Sequence, residues 1–177
     1  SYYLSISSDD KNDGSAANPI KTIAYLNTIN LSPGDTILLK GSEIFNGNLV
    51  LDSTKSGGDG KPVVITSYGN GNAIIDGGNG TAITIYNLSY ININNLTCKG
   101  AGRKDGNTKA GIAITNCNNI SVDNIDVRCF QQSDFQVYSC NTVTITTVSP
   151  TANGTAGICV DGHCNRKLTS NTIHITT

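Results

Sequence analysis

The densest run of titratable side chains is Asp161-Gly162-His163-Cys164-Asn165-Arg166-Lys167, which places a carboxylate, an imidazole and two cations within seven residues. Gathered in one groove, such groups could pass protons to and from a substrate as general acid and base. A second charged run, Arg103-Lys104-Asp105, would have to fold onto the first to share that site. A polar corner and a solvated loop account for both runs without any chemistry, since charged side chains ordinarily face water. Asp123 and Asp126, either side of Asn124-Ile125, likewise read better as a solvated strand edge than as a carboxylate pair. Tyr86 and Tyr138 offer something different: aromatic faces with polar tips, suited to contact with a sugar ring.

Metal chemistry has little to build on. Asp9, Asn12 and Asp13 carry oxygen ligands, but their spacing departs from the loop that grips calcium, so a hydrogen-bonded turn is the better expectation. No Cys-x-x-Cys and no His pair at ligand spacing occurs, and no cofactor is expected. The six cysteines, an even number, suit an oxidising compartment. Cys117 and Cys140 could form a disulfide or pack as stacked thiols; Cys98 with Cys129, and Cys159 with Cys164, are further candidate pairs.

The elements that would position these groups come from an internal repeat. Four copies open at Ala82-Ile83-Thr84-Ile85, Gly111-Ile112-Ala113-Ile114, Asp134-Phe135-Gln136-Val137 and Gly157-Ile158-Cys159-Val160. Their openings are 29, 23 and 23 residues apart. Each continues through a polar corner into a second alternating run: Ile91-Asn92-Ile93, Ile120-Ser121-Val122, Val143-Thr144-Ile145 and, more weakly, Leu168 onward. Short alternating runs specify strands with one buried face, and a period of this size specifies a solenoid of stacked coils. One coil alone cannot bury its apolar edge, whereas stacking joins those edges into a continuous core. By this register Tyr86, Thr115, Tyr138 and Asp161 fall at equivalent positions. The loop at 99–109 accounts for the longer period and should bulge outward. Upstream, residues 2–6 read as a strand, and Asn18-Pro19 opens a helix carrying Ile20, Ile23, Ala24, Leu26 and Ile29. We expect a single domain, with residues 1–35 as strand, turn and helix and 36–177 as about six coils.

Composition excludes several functions. Charged residues are 14% and the net charge is −1, which disfavours nucleic acid as partner. No apolar run reaches the roughly 18 residues of a membrane span. A chain that begins at Ser1 and holds no Met resembles a processed, exported protein, so an extracellular or cell-surface location is expected.

Tyr2-Tyr3-Leu4-Ser5, Asn12-Asp13-Gly14, Pro19-Ile20-Lys21-Thr22-Ile23, Pro33-Gly34-Asp35-Thr36-Ile37 and Ile75-Asp76-Gly77 together resemble the opening of right-handed parallel β-helix proteins of the pectate-lyase-like superfamily. The segment from Gly111 to Val122 resembles a coil of that family. The resemblance implies an all-β, right-handed parallel β-helix with a short N-terminal capping helix, and Asn119 stacked at a coil corner. Members include polysaccharide lyases and glycoside hydrolases. The aspartate cluster and Gly-His-Gly of the polygalacturonase type are missing, and only the run from Asp161 through His163 to Arg166 and Lys167, with Arg103, Lys104 and Asp105, resembles a lyase set. Fold alone does not settle function.

The chain stops in the strand Ile173-His174-Ile175 with nothing after it to cover the coil, and an uncovered coil end templates association. The first expectation is therefore a structural solenoid that stacks head to tail into fibres, joined through Tyr2, Tyr3, Leu4 and Ile6 at one end and Ile173 and Ile175 at the other. The alternative is a carbohydrate-active fragment or a glycan-binding module, with Tyr86, Tyr138, Arg103 and Lys104 against polysaccharide.

Overall fold

A computed structural model describes residues 1–151, 153–154, 157–160, 163–165 and 172–175, with 150, 151, 163–165 and 172–175 described as backbone alone. The elements run β1 (Tyr2–Leu4), α1 (Ile23–Leu26), β2 (Thr36–Lys40), β3 (Ile44–Asn46), β4 (Leu49–Leu51), β5 (Val63–Tyr68), β6 (Ala73–Gly78), β7 (Ile83–Tyr86), β8 (Ser89–Gly100), β9 (Ile112–Thr115), β10 (Asn118–Arg128), β11 (Phe135–Tyr138), β12 (Asn141–Thr151), β13 (Ile158–Val160), β14 (His163–Asn165) and β15 (Thr172–Ile175). They form two sheets. The larger follows β1-β2-β5-β8-β10-β12-β15 with β3 and β6 attached beside β8, and the smaller follows β4-β7-β9-β11-β13-β14. Through β13 every named strand pair is parallel.

The repeat sets the register. Ile83, Ile112, Phe135 and Ile158 are successive partners in the smaller sheet, and Ile91, Ile120 and Val143 in the larger. All seven are buried and belong to one apolar core that also takes in Leu4, Ile20, Ile23 and Leu26. Each such side chain removed from water contributes about 1.5–3 kcal/mol, so a ladder of them outweighs any surface ion pair here.

Bends recur at fixed register positions through left-handed backbone. Asn87, Asn116 and Ser139 form one such row, Tyr90, Asn119 and Thr142 a second, and Asn95, Asn124 and Thr147 a third. Asparagine tolerates this region because its short amide hydrogen-bonds locally. Asn116 Nδ2 donates to Asn87 Oδ1 at 2.8 Å and Asn124 Nδ2 to Asn95 Oδ1 at 2.7 Å. Asn119 does occupy a corner, but its row neighbours are Tyr90 and Thr142, so the asparagine stacks lie in the other two rows.

Three expectations are corrected. The helix expected over 19–29 is a single turn, α1. Ile20 is instead bridged to Leu4, and the Asp10 carboxylate accepts from the Lys21 and Thr22 amides, which holds that stretch extended until Thr22 caps the turn. Next, the last strands reverse. β14 is antiparallel to β13 and β15 to β12, where a further parallel coil was expected. Val160 pairs with His163 across the β13–β14 contact. Finally, no disulfide joins the described cysteines. Cys117 and Cys140 do stack, with the Cys117 amide donating to Cys140 Sγ at 3.4 Å, yet they pack as thiols. Cys98 faces Val127 rather than Cys129, filling a core slot. Cys159 is the register partner of Cys164, whose side chain lies outside the description.

Candidate functional site

The outward positions of the smaller sheet form two rows. Thr84, Ala113, Gln136 and Cys159 make one; Tyr86, Thr115 and Tyr138 make the other. The alternation that drives Ile83, Ile85, Ile112 and Ile114 inward turns these side chains to solvent. Tyr86 is 38% exposed and Tyr138 51%, both high for aromatic side chains. They flank Thr115 one strand step to either side, which sets them roughly 9.6 Å apart along the stack. Beyond them the Asn87–Asn116 hydrogen bond fixes the next corner. Thr84 accepts from Asn48 Nδ2 at 3.0 Å, so a neighbouring loop pins that hydroxyl. Among the described residues the two rows carry no charged side chain.

Arg103 and Lys104 lie on the expected loop, which leaves β8 after Gly100 rather than at 99 and makes an exposed excursion with a 3-10 turn over Arg103–Asp105. Buried Asn107 anchors it, donating to Gly78 O at 2.7 Å and Gly80 O at 3.0 Å and accepting from Gln131 N at 3.1 Å. Those anchors precede β7 and β11, so the loop stands at the N-terminal ends of the smaller-sheet strands, while the tyrosines stand at the C-terminal ends. Of the remaining candidates, Asp161, Arg166 and Lys167 lie outside the described residues, and His163 is placed only as backbone of β14. Their expected convergence with the loop thus lies outside the described residues.

The assembly candidates are also placed. β1 pairs with β2 on one edge, and on the other it bonds through Tyr3 N to Gly14 O, Ile20 N to Tyr3 O and Ser5 N to Ile20 O. Tyr2, Tyr3 and Leu4 thus leave no open strand edge. Ile6 is exposed beside Ile44 at a cavity of about 270 Å³. Ile173 and Ile175 pair with Ile145 and Val143 across the antiparallel β12–β15 contact.

Two features escaped the sequence reading. Asp76, Lys99 and Arg128 are successive register partners in the larger sheet, with Asp126 two residues before Arg128. Lys99 Nζ meets Asp76 Oδ2 at 3.0 Å and Arg128 Nη1 meets Asp126 Oδ2 at 3.7 Å. The 29-residue spacing of Lys99 and Arg128, equal to the long period, was the available signal. Partly exposed pairs of this kind are ordinary surface electrostatics. The second feature is Asp134. It opens a repeat where the other copies have Ala82, Gly111 and Gly157, and its carboxyl is fully buried. Oδ1 accepts from Asn153 Nδ2, while Oδ2 finds no partner among the described residues. Burial pushes this carboxyl up to about 7, with the Asn153 hydrogen bond opposing and the nearby Asp126 charge adding to the rise.

No protein-family model and no curated protein sequence matches this chain. Solved structures do. A GH136 lacto-N-biosidase from Eubacterium ramulus is 20% identical with a TM-score of 0.57, over 79% of this chain and 33% of its own. A rhamnogalacturonan lyase is 17% identical at 0.57, over 91% and 45%. An alginate lyase from Paenibacillus is 18% identical at 0.57, over 78% and 48%. The chain thus spans less than half the length of each. At these identities the likeness is one of fold, and the shared fold is all-β with parallel strands.

Proposed function

We propose that this chain is a stretch of right-handed parallel β-helix from a carbohydrate-active protein, and that the outward face of its smaller sheet contacts glycan. The observation that carries the proposal is the pair Tyr86 and Tyr138, both exposed on one face, one strand step to either side of Thr115. Aromatic faces spaced along a stack of strands offer a sugar chain repeated apolar contact, while Thr84, Thr115 and Gln136 supply hydroxyl and amide groups between them. Arg103 and Lys104 on the anchored loop add positive charge at the other end of the strands, which would favour an acidic residue of the glycan there. The three solved structures that share the fold act on carbohydrate by their names, which supports this reading over fibre assembly. No described residue is assigned a catalytic role.

The test is affinity electrophoresis of the chain in gels containing polysaccharides, acidic and neutral, with Tyr86→Ala, Tyr138→Ala and the double variant alongside. Retardation by at least one polysaccharide, reduced in each single variant and reduced further in the double, is expected. Equal retardation of wild type and double variant, or none by any polysaccharide, would overturn the assignment of this face.

A further inference from the structure

A second concavity lies on the larger sheet. Its floor is Asn92, Ser121 and Thr144, register partners on β8, β10 and β12, so an amide and two hydroxyls repeat at about 4.8 Å. Tyr90 forms one wall and Pro62 a lip. The volume is about 340 Å³, near the lower end of the roughly 300–1,000 Å³ found for small-molecule sites.

The wall is built at a conformational cost. Tyr90 holds φ 58°, in a row whose other members are Asn119 and Thr142, and a bulky residue in left-handed backbone is an outlier that persists only where its surroundings fix it. The glycine-rich loop at 56–61 supplies that support. Gly57 N donates to Ser89 O at 2.9 Å, and a Cβ on Gly57 would meet Tyr90 O at 2.2 Å. Gly58 and Lys61 exchange both backbone hydrogen bonds, closing the loop into a turn beside Tyr90. The glycines thus let the loop backbone press against Tyr90 and set the lip over the floor.

We propose that this groove is a second saccharide site, distinct from the tyrosine face of the smaller sheet, and that it takes an uncharged sugar ring. Among the described residues no charged side chain lines it, so no described group there would compensate the carboxylate of a uronic acid. Amide and hydroxyl groups beside one aromatic wall match a ligand that is polar at its edge and apolar on its face. The inference shares with the preceding section only the premise that the ligand is carbohydrate.

The test uses calorimetric titration of the chain with β-linked glucose and galactose tetrasaccharides and with tetragalacturonate, at low and at 0.5 M salt (roughly a 4 Å Debye length). The Tyr86→Ala/Tyr138→Ala double variant serves as the background. A neutral tetrasaccharide should bind there, insensitive to salt, and Tyr90→Ala or Asn92→Ala should weaken it by about tenfold or more. Ser121→Asp, which adds a carboxylate to the floor without touching the core, should do the same and guards against misfolding of the Tyr90 variant. Neutral binding unchanged by all three variants, binding of tetragalacturonate alone, or no saccharide binding in the background would each overturn the groove. Loss of binding in the background with wild-type binding intact would do so while leaving the tyrosine face standing.

Discussion

Asp134 is the residue where the fold and its sequence disagree most. A buried carboxyl with one oxygen unpartnered among the described residues is costly to ionise, which is why it is held up to about 7 against an ordinary 3.8. In the folded chain it keeps its proton between those values, whereas the unfolded chain has released it. Its contribution to stability is therefore fully present below about pH 4 and is lost as pH rises through about 7. The groups facing it are Asn153 and Asp126, the latter paired with Arg128, and neither carries compensating positive charge onto it. Asp134→Asn keeps the shape and the Asn153 contact without the ionisation. Thermal melts at pH 5 and pH 8.5 should show wild type losing stability by something on the order of 2–4 kcal/mol across that range, with the variant nearly flat. A wild-type profile as flat as the variant's would place the proton elsewhere. The buried thiols give a second residue-scale expectation. Burial, reinforced by the Asp126 charge, pushes Cys98 up, and the hydrogen bond shared with Cys140, together with burial, pushes Cys117 up. Half-buried Cys129 should then be alkylated by iodoacetamide under native conditions well before either. Mass spectrometry of a time course reads the order directly, and early modification of Cys98 would contradict its place in the core.

Each bend in the stack rests on a residue that accepts left-handed backbone, and the third corner row shows how much the side chain contributes. Asn124 holds φ 49° and donates to Asn95. Asn124→Gly forfeits the hydrogen bond but relaxes the backbone, so it should cost under about 1 kcal/mol. Asn124→Val loses both and forces a β-branched residue into that region, for about 2 kcal/mol or more. Urea unfolding distinguishes them, and equal losses would mean that the corner is held by packing alone. These elements also show what could be read in advance. Alternation placed Ile83, Ile112, Phe135 and Ile158, and Ile91, Ile120 and Val143, in correct register, because a one-residue slip would turn every core side chain to water. The Asn-Pro start of the expected helix misled because the Leu4–Ile20 bridge competes for the same residues, a contact that propensity cannot see. The reversal of β14 was missed because the repeat period suggested another parallel coil. Tyr86 and Tyr138 were readable from register, whereas the groove at Tyr90 was not. It depends on a loop some 30 residues earlier in sequence folding back against β8.

For the whole molecule, the strands define one core under two sheets whose outer faces differ in chemistry: exposed tyrosines on the smaller, and a polar groove with a separate row of ion pairs on the larger. A binding role uses those faces and leaves the ends idle, while fibre assembly would use the ends. Both edges of β1 are already bonded within the chain, so electron microscopy across a concentration series should show discrete particles; unbranched fibres would return the account to end-to-end stacking. The most direct measurement of the central claim is an NMR titration of the labelled chain with an oligosaccharide cut from whichever polysaccharide retards it. If the smaller-sheet face contacts glycan, amide shifts will cluster at Thr84 to Tyr86, Ala113 to Thr115 and Gln136 to Tyr138. A cluster confined to other surfaces, or no shift at saturating sugar, would contradict it.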